Sequence, residues 1–229
     1  MDKGNDVSTS IRISDLQLNY PTESGEIEVL KSASLEIPPG DTLAITGPSG
    51  SGKTSLLLLL SGLQRPTSGE IHVGDRRLGD MDADALADWR SEHLGIVFQS
   101  FHLLPGLTAL GNVSLPLEIA GRSGAREQAK AMLEAVGLGP RLHHYPAQLS
   151  GGEQQRVAIT RAMVHQPSLL LGDEPTGNLD RDTGEKVLSL LFELHQESRS
   201  TLVMVTHDER VADRCQHRVR MDGGRLHVD

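Results

Sequence analysis

Eight residues, Gly47, Pro48, Ser49, Gly50, Ser51, Gly52, Lys53 and Thr54, stand between an apolar run, Thr42 to Ile45, and a leucine-rich one, Leu56 to Leu60. The pattern is GxxxxGK[ST] in its working context, with a strand before and a helix after. Gly47, Gly50 and Gly52 permit backbone geometry closed to other residues, so successive N–H groups can converge on one anion. The expected guest is a triphosphate. Lys53 would reach its β- and γ-phosphates, Thr54 would give its hydroxyl to Mg²⁺, and the following helix would direct its positive end at the same oxygens. The competing reading, a Gly/Ser-rich turn with a chance Lys-Thr, is weakened by the flanking strand and helix.

Other residues offer matching chemistry. Leu169 to Leu171 is an apolar strand that runs through Gly172 into Asp173 and Glu174. Asp173 could hold Mg²⁺, through water, because that ion keeps much of its hydration shell. Glu174, turned to the opposite face by the two-residue period of a strand, could address an attacking water as general base. Either acid alone could equally be a solvated strand-end charge. His207, in VMVTHDE, follows another apolar strand, where an imidazole could bridge γ-phosphate, water and Glu174; alone it would read as a surface histidine. Gln99 ends the strand Leu94 to Phe98 with an amide able to reach Mg²⁺ or water and to swing away, or it is an ordinary loop amide.

Leu149 to Arg156 reads LSGGEQQR and leads into the helical run VAITRAMV. Ser150, Gly151 and Gly152 would place an uncapped set of N–H groups and a hydroxyl at a helix start, a second anion site. One triphosphate cannot fill two such sites. If they lie on different faces, the simplest closure is a two-fold dimer in which each chain offers this helix to the γ-phosphate held by the other.

The elements that must position these groups are legible in outline. Ile11, Ile13, Leu16 and Leu18 give interrupted alternation, a strand with a bulge or two short strands. PTESGE is turn chemistry, and Val29 to Ile37 alternates again before Pro38, Pro39 and Gly40, which reads as a β-meander entering the phosphate-loop strand. Ile71 to Val73 is a short strand, and Asp82 caps a helix running through Trp89 and His93. From Thr108 to Val136 apolar residues recur at three- and four-residue spacing, interrupted by GRSG, as a helical insertion would; its bounds fall at about residues 100–165. Strand character returns at Leu169 to Leu171 and at Thr201 to Val205. Short apolar strands alternating with helices imply an α/β fold whose parallel sheet is covered on both faces and binds ligands beyond the carboxyl ends of its strands. Residues 1–10 read as a disordered leader and 11–229 as one domain.

Composition narrows the setting. No apolar run in the 229 residues approaches the roughly 20 of a membrane helix, and MDKGNDVSTS lacks a signal peptide's apolar core, so a cytosolic location is expected. A lone cysteine, Cys215, forms no internal disulfide and fits a reducing compartment. A formal net charge of −9 argues against nucleic acid or an anionic lipid surface as main partner, so a membrane location would need a protein to hold the chain there.

Taken together, GPSGSGKT, LSGGEQQR and LLLGDEPTGNLD in this order resemble the ATP-binding cassette ATPases, the nucleotide-binding subunits of ABC transporters, over nearly the whole chain. The resemblance implies a P-loop NTPase fold with a parallel sheet core, an N-terminal antiparallel β subdomain and a helical subdomain. It makes residues 47–54 the Walker A loop and Gln99 the Q-loop. Ser150, Gly151, Gly152 and Glu153 become the signature that contacts the partner chain's ATP, and Asp173 and Glu174 become Walker B with its catalytic acid. Asn178, Leu179 and Asp180 match the D-loop, His207 the switch histidine, and Tyr20 the aromatic that stacks on adenine, although a tyrosine after a strand also serves as packing. FQSFHLLPGLTALGNVSLPL and DEPTGNLDRDTG are similar to the lipoprotein-release and macrolide-export branch, with particular likeness to its YbbA-type subunits. That likeness implies ATP and Mg²⁺, a homodimer, an integral membrane permease of FtsX/MacB type, a periplasmic esterase or lysophospholipase reached through that permease, and a place on the cytoplasmic face of the inner membrane. An ATP-gated scaffold with slow hydrolysis would share every motif, and the cargo is not written in a chain that never meets it.

Overall fold

The computed structural model describes residues 8–22 and 25–228. The expected leader therefore falls, up to residue 7, outside the described residues. Residues 8–10 are tied to the body, since the Thr201 hydroxyl donates to the Thr9 carbonyl at 2.5 Å and Gly74 N–H donates to Ser10 at 2.8 Å.

Two sheets organise the chain. A four-stranded antiparallel sheet has the order β2-β1-β4-β5, formed by β1 (Ile11–Thr22), β2 (Gly25–Ile37), β4 (Ser68–Val73) and β5 (Arg76–Arg77). The interrupted alternation of β1 is a set of real irregularities, with register shifts between Ile13 and Leu16 and again near Leu18. Asp15 and Ser32 both take left-handed backbone there, and Ser32 donates its hydroxyl to Asp15 at 3.0 Å. The two opening strands pair antiparallel and lead into the phosphate-loop strand, as their alternation leads one to expect. After Pro38, Pro39 and a left-handed Gly40, β3 (Thr42–Thr46) leaves for a second sheet, and β4 takes the place beside β1. Every residue of β3 is buried, so it needs cover on both faces, whereas β1 and β2 keep a solvated side.

The second sheet has the order β10-β9-β3-β8-β7-β6, with β6 (Leu94–Phe98), β7 (Leu169–Asp173), β8 (Thr201–Val205), β3 and β9 (His217–Asp222) parallel and β10 (Arg225–Val228) antiparallel at the edge. Its side chains divide by the two-residue period. Leu169, Leu171, Val203 and Val205 face a core shared with the antiparallel sheet and with Leu56, Leu57, Leu59 and Leu60 of α1 (Lys53–Leu60). Val97, Leu170, Leu202 and Met204 face a second core made with α5 (Gly151–Met163) and α6 (Arg181–Ser198). The leucine run is thus a helix buried nearly all round, each leucine contributing roughly 1.5–3 kcal/mol. No helix of the described residues is long and apolar enough to cross a membrane.

Between β6 and β7 lie α3 (Ala109–Ile119), α4 (Ala125–Ala135) and α5, which share a third core around Val113, Leu117, Leu133 and Val157. Thr108 caps α3 by accepting from Gly111 N–H at 3.1 Å. Asp82 caps α2 (Ala83–His93), accepting from Ala85 N–H at 2.8 Å, as its position in the sequence leads one to expect.

Candidate active site

The phosphate loop joins β3 to α1 at the carboxyl edge of the parallel sheet, the edge where open α/β sheets bind ligands. Its helix is left open: the N-cap is Gly52, in left-handed backbone, with no side chain capping the first turn. Lys53 is buried to 7% exposure and donates to the carbonyls of Gly47 at 2.9 Å and Pro48 at 2.8 Å, so the loop folds around its own cation. Among the described residues Ser51 Oγ is buried with no hydrogen-bond partner, and a Cβ at Gly50 would meet nothing within 4 Å. Ser49 is exposed on the same loop. Neither Ser51 nor Pro48 lines the cavity beside this loop, so what the loop offers an anion there is a buried ammonium and open backbone.

The loop is seated from below by distant chain. A Cβ at Gly47 would lie 2.1 Å from the carbonyl oxygen of Met221, and one at Gly52 2.9 Å from that of Val29. Val29 is the residue skipped in the pairing of β1 with β2, a bulge that turns its backbone toward the loop. The β9–β10 hairpin closes the seat, its Gly224 carbonyl accepting from Lys31 N–H at 2.8 Å. Neither Val29 nor Met221 is signalled by the motif.

Gly47, Ser49, Gly50, Gly52, Lys53, Thr54, Gln99, Asp173, Glu174 and His207 line one cavity of about 410 Å³, joined by Val29 and Ser55. Thr54 Oγ1 stands 3.4 Å from both carboxylate oxygens of Asp173. Burial pushes the Asp173 carboxyl up from its ordinary range, partly offset by the Thr54 hydroxyl. No group of three or more His, Cys, Asp or Glu among the described residues could hold a metal by itself. Thr54, Asp173 and the Gln99 amide are instead a sparse set of hard oxygen donors, which suits Mg²⁺ shared with phosphate oxygens and water.

Glu174 lies just past β7, not within it, and its φ of 48° is left-handed. The turn, rather than strand alternation, aims its carboxylate, which meets His207 Nδ1; the backbone N–H of Glu174 is anchored on the Val205 carbonyl at 2.9 Å. A left-handed non-glycine residue costs roughly 1–3 kcal/mol, a strain that concentrates at functional positions. Gln99 Nε2 donates to Asn178 Oδ1 at 3.2 Å and its carbonyl accepts from Asn178 Nδ2 at 3.0 Å, tying the end of β6 to the segment before α6. A Cβ at Gly177 would strike Gln99 Nε2 at 2.7 Å, so that contact needs glycine. Asp180 caps α6 through Thr183 N–H at 3.1 Å.

The turn Ser150 to Glu153 does not line this cavity, and it is not uncapped. Ser150 Oγ accepts from Glu153 N–H at 3.3 Å while the Glu153 carboxylate accepts from Ser150 N–H at 2.8 Å, a reciprocal cap. Arg141 adds a contact at 2.8 Å, and the backbone bond from Ser150, followed by this arginine, holds the Glu153 carboxyl down at about 2. Glycine at 151 and 152 answers close packing within the chain: a Cβ at Gly152 would lie 2.4 Å from the Thr183 methyl, and one at Gly151 3.3 Å from Leu179. Tyr20 also stands outside the cavity wall, 42% exposed, its hydroxyl 2.5 Å from Gln64 Nε2 and its backbone paired with Ile27, two residues from Val29. Cys215 is half-buried, its thiol pushed up to about 12 by that burial, and takes no part.

A lysine-bearing glycine loop between parallel strand and helix, with carboxylates on a neighbouring strand, defines a nucleoside-triphosphate-hydrolysing α/β domain. The chain belongs to the ABC transporter family, which matches residues 30–177. It is 51% identical over 203 residues to YbbA of Escherichia coli (strain K12), an uncharacterized ABC transporter ATP-binding protein, covering 88% of this chain and 89% of that one. It is 50% identical over 215 residues to the lipoprotein-releasing system ATP-binding protein LolD of Legionella pneumophila (strain Paris), covering 93% of this chain and 95% of LolD. A dimeric post-hydrolysis structure of the ATP-binding cassette MJ0796, bound to ADP and Pi, superposes with a TM-score of 0.87 at 38% identity, over 95% of this chain and 98% of that one. The activity is hydrolysis of ATP to ADP and phosphate, with Mg²⁺ as the accompanying ion.

Proposed function

We propose that this chain is the ATP-hydrolysing half of a paired engine that drives an integral membrane permease of FtsX/MacB type. The observation that carries the reading is the gathering of Lys53, Thr54, Asp173, Glu174 and His207 around one cavity while the Ser150 turn faces elsewhere. A turn that cannot reach its own nucleotide is free to reach another chain's.

Within one site, Lys53 exchanges the carbonyls of Gly47 and Pro48 for phosphate oxygens, a charge-assisted trade for a cation already out of water. Thr54, Asp173 and Gln99 would hold Mg²⁺, which when bound neutralises charge on the β- and γ-phosphates. Glu174 orients the attacking water and accepts its proton, and the imidazole of His207 fixes that carboxylate. Tyr20 offers its exposed ring to the adenine beside the cavity. Ser150, Gly151, Gly152 and Glu153 of each chain close over the γ-phosphate of the other, with Asp180 beside the shared seam.

The permease would dock in a groove of about 360 Å³ between α2, β6, α3 and the end of α5, where Leu115, Pro116 and a 73% exposed Ile119 face solvent. On this reading the pair would sit on the cytoplasmic face of the inner membrane, held by a protein rather than by lipid, and a periplasmic esterase or lysophospholipase would be reached only through that permease. The test is the Glu174→Gln chain at saturating MgATP. It should sediment as an ATP-bound dimer with no turnover. A strictly monomeric species, even beside a co-purified membrane partner, overturns the paired reading.

A further inference from the structure

The loop after Gln99 is held in a costly shape by a residue that none of the motifs includes. Phe101 and His102 are consecutive non-glycine residues in left-handed backbone, with φ of 60° and 46°. Both of their carbonyls accept from one guanidinium: Arg161 Nη2 donates to Phe101 at 3.0 Å and Nη1 to His102 at 2.7 Å. Arg161 stands on α5, is half-buried, and takes part in none of the ion pairs among the described residues. Burial pulls its pKa down from the ordinary arginine value, and loop carbonyls meet the guanidinium at both Nη atoms.

The same loop touches α5 at its other end, since a Cβ at Gly151 would lie 3.9 Å from the tip of the Phe101 ring. The His102 ring packs on Phe98, the last residue of β6, with centroids 4.6 Å apart. Gln99, two residues before Phe101, is meanwhile bonded to Asn178 on the nucleotide side. One side of the loop is therefore fixed to the catalytic face and the other to the signature helix, leaving Ser100 as the joint. Arg161 also lines the groove beside Pro116 and Ile119.

We propose that Arg161 is a positioning residue for hydrolysis: it holds Phe101 and His102 left-handed, so that a displacement of α5, or of a partner seated in the groove, reaches the Gln99 amide. It acts through the loop and touches no substrate. The inference rests on the hydrolytic reading of the cavity.

The test uses the whole chain carrying Arg161→Met, Arg161→Lys and the double variant Arg161→Met with His102→Gly. In the nucleotide-free chain, amide exchange of residues 100–104 should quicken about tenfold in Arg161→Met while that of residues 47–54 stays unchanged. Affinity for a non-hydrolysable MgATP analogue should stay within about threefold, whereas kcat should fall by roughly tenfold or more, as displacement of a supporting group by a fraction of an ångström does. Glycine at 102 adopts the left-handed shape without a clamp, so the double variant should regain part of kcat. If Arg161→Met does not fold, Arg161→Lys carries the same readouts, with one ammonium replacing a two-pronged donor. Unchanged loop exchange, a loss of affinity matching the loss of kcat, or no recovery in the double variant would each overturn the proposal. An inactive parent chain would instead sink the hydrolytic reading, and the exchange measurement would still decide the role of Arg161.

Discussion

The two glycine-rich helix starts of this chain look alike on paper and are built in opposite ways. The phosphate loop leaves α1 open, with glycine at the cap, a buried lysine held by loop carbonyls, and a serine hydroxyl with no partner among the described residues. The signature turn closes α5 on itself, with Ser150, Glu153 and Arg141 tying up the Ser150 and Glu153 N–H groups and the Glu153 carboxylate. An open start costs the fold stability and gains a binding site; a closed one is stable alone and can only add contacts once a second surface arrives. That division is what a nucleotide sandwiched between two chains requires of its halves.

The contrast can be broken most sharply at the carboxylate proposed to take the water's proton. Glu174→Gln should lower steady-state phosphate release by on the order of 10²–10⁴-fold with MgATP affinity little changed. Equal losses in both would mean that Glu174 belongs to the binding seat. Next in size, Lys53→Ala should weaken ATP binding by roughly 10- to 100-fold, the worth of a charged hydrogen-bonding group; titration calorimetry reads this directly, and Ser150→Ala should leave the same single-site affinity alone.

Glycine replacements test how each start is packed. Gly47→Ala drives a methyl into the backbone carbonyl of Met221 and should cost about 3 kcal/mol, since nothing there can rotate away. Gly152→Ala meets a Thr183 methyl instead, and about 1 kcal/mol is expected in denaturant midpoints. Ser150→Ala, which deletes a cap, should cost about 1 kcal/mol. A separate effect is one of pH. The Glu153 carboxyl is depressed to about 2 from 4.5, so its contribution is fully present above 4.5 and fades as pH falls toward 2. Unfolding free energies of the parent and of Glu153→Gln should therefore converge across that window, and parallel curves would show that the carboxylate is not tied in the native state.

Much of this was legible because the chemistry is local. GPSGSGKT, the apolar strand before Asp173 and the cap at Asp82 are written in neighbouring residues, and the structure puts them where those neighbours require. What escaped is non-local or conformational. No periodicity shows that β4 returns to pair beside β1, because that pairing joins residues some fifty to sixty positions apart. The aim of Glu174 comes from one left-handed residue, and that of Phe101 and His102 from an arginine some sixty positions away. The reciprocal cap was readable from Ser150 and Glu153 at their three-residue spacing, but the glycines between them drew the eye to a ligand.

The seating of Gly47 on the Met221 carbonyl and of Lys31 on that of Gly224 has a bearing on biogenesis. During synthesis the residues proposed to grip phosphate emerge well before the floor beneath them. A nascent polypeptide must wait for some 170 further residues before this nucleotide seat is whole, so ATP rewards a chain that carries loop and floor together over one that stops between them.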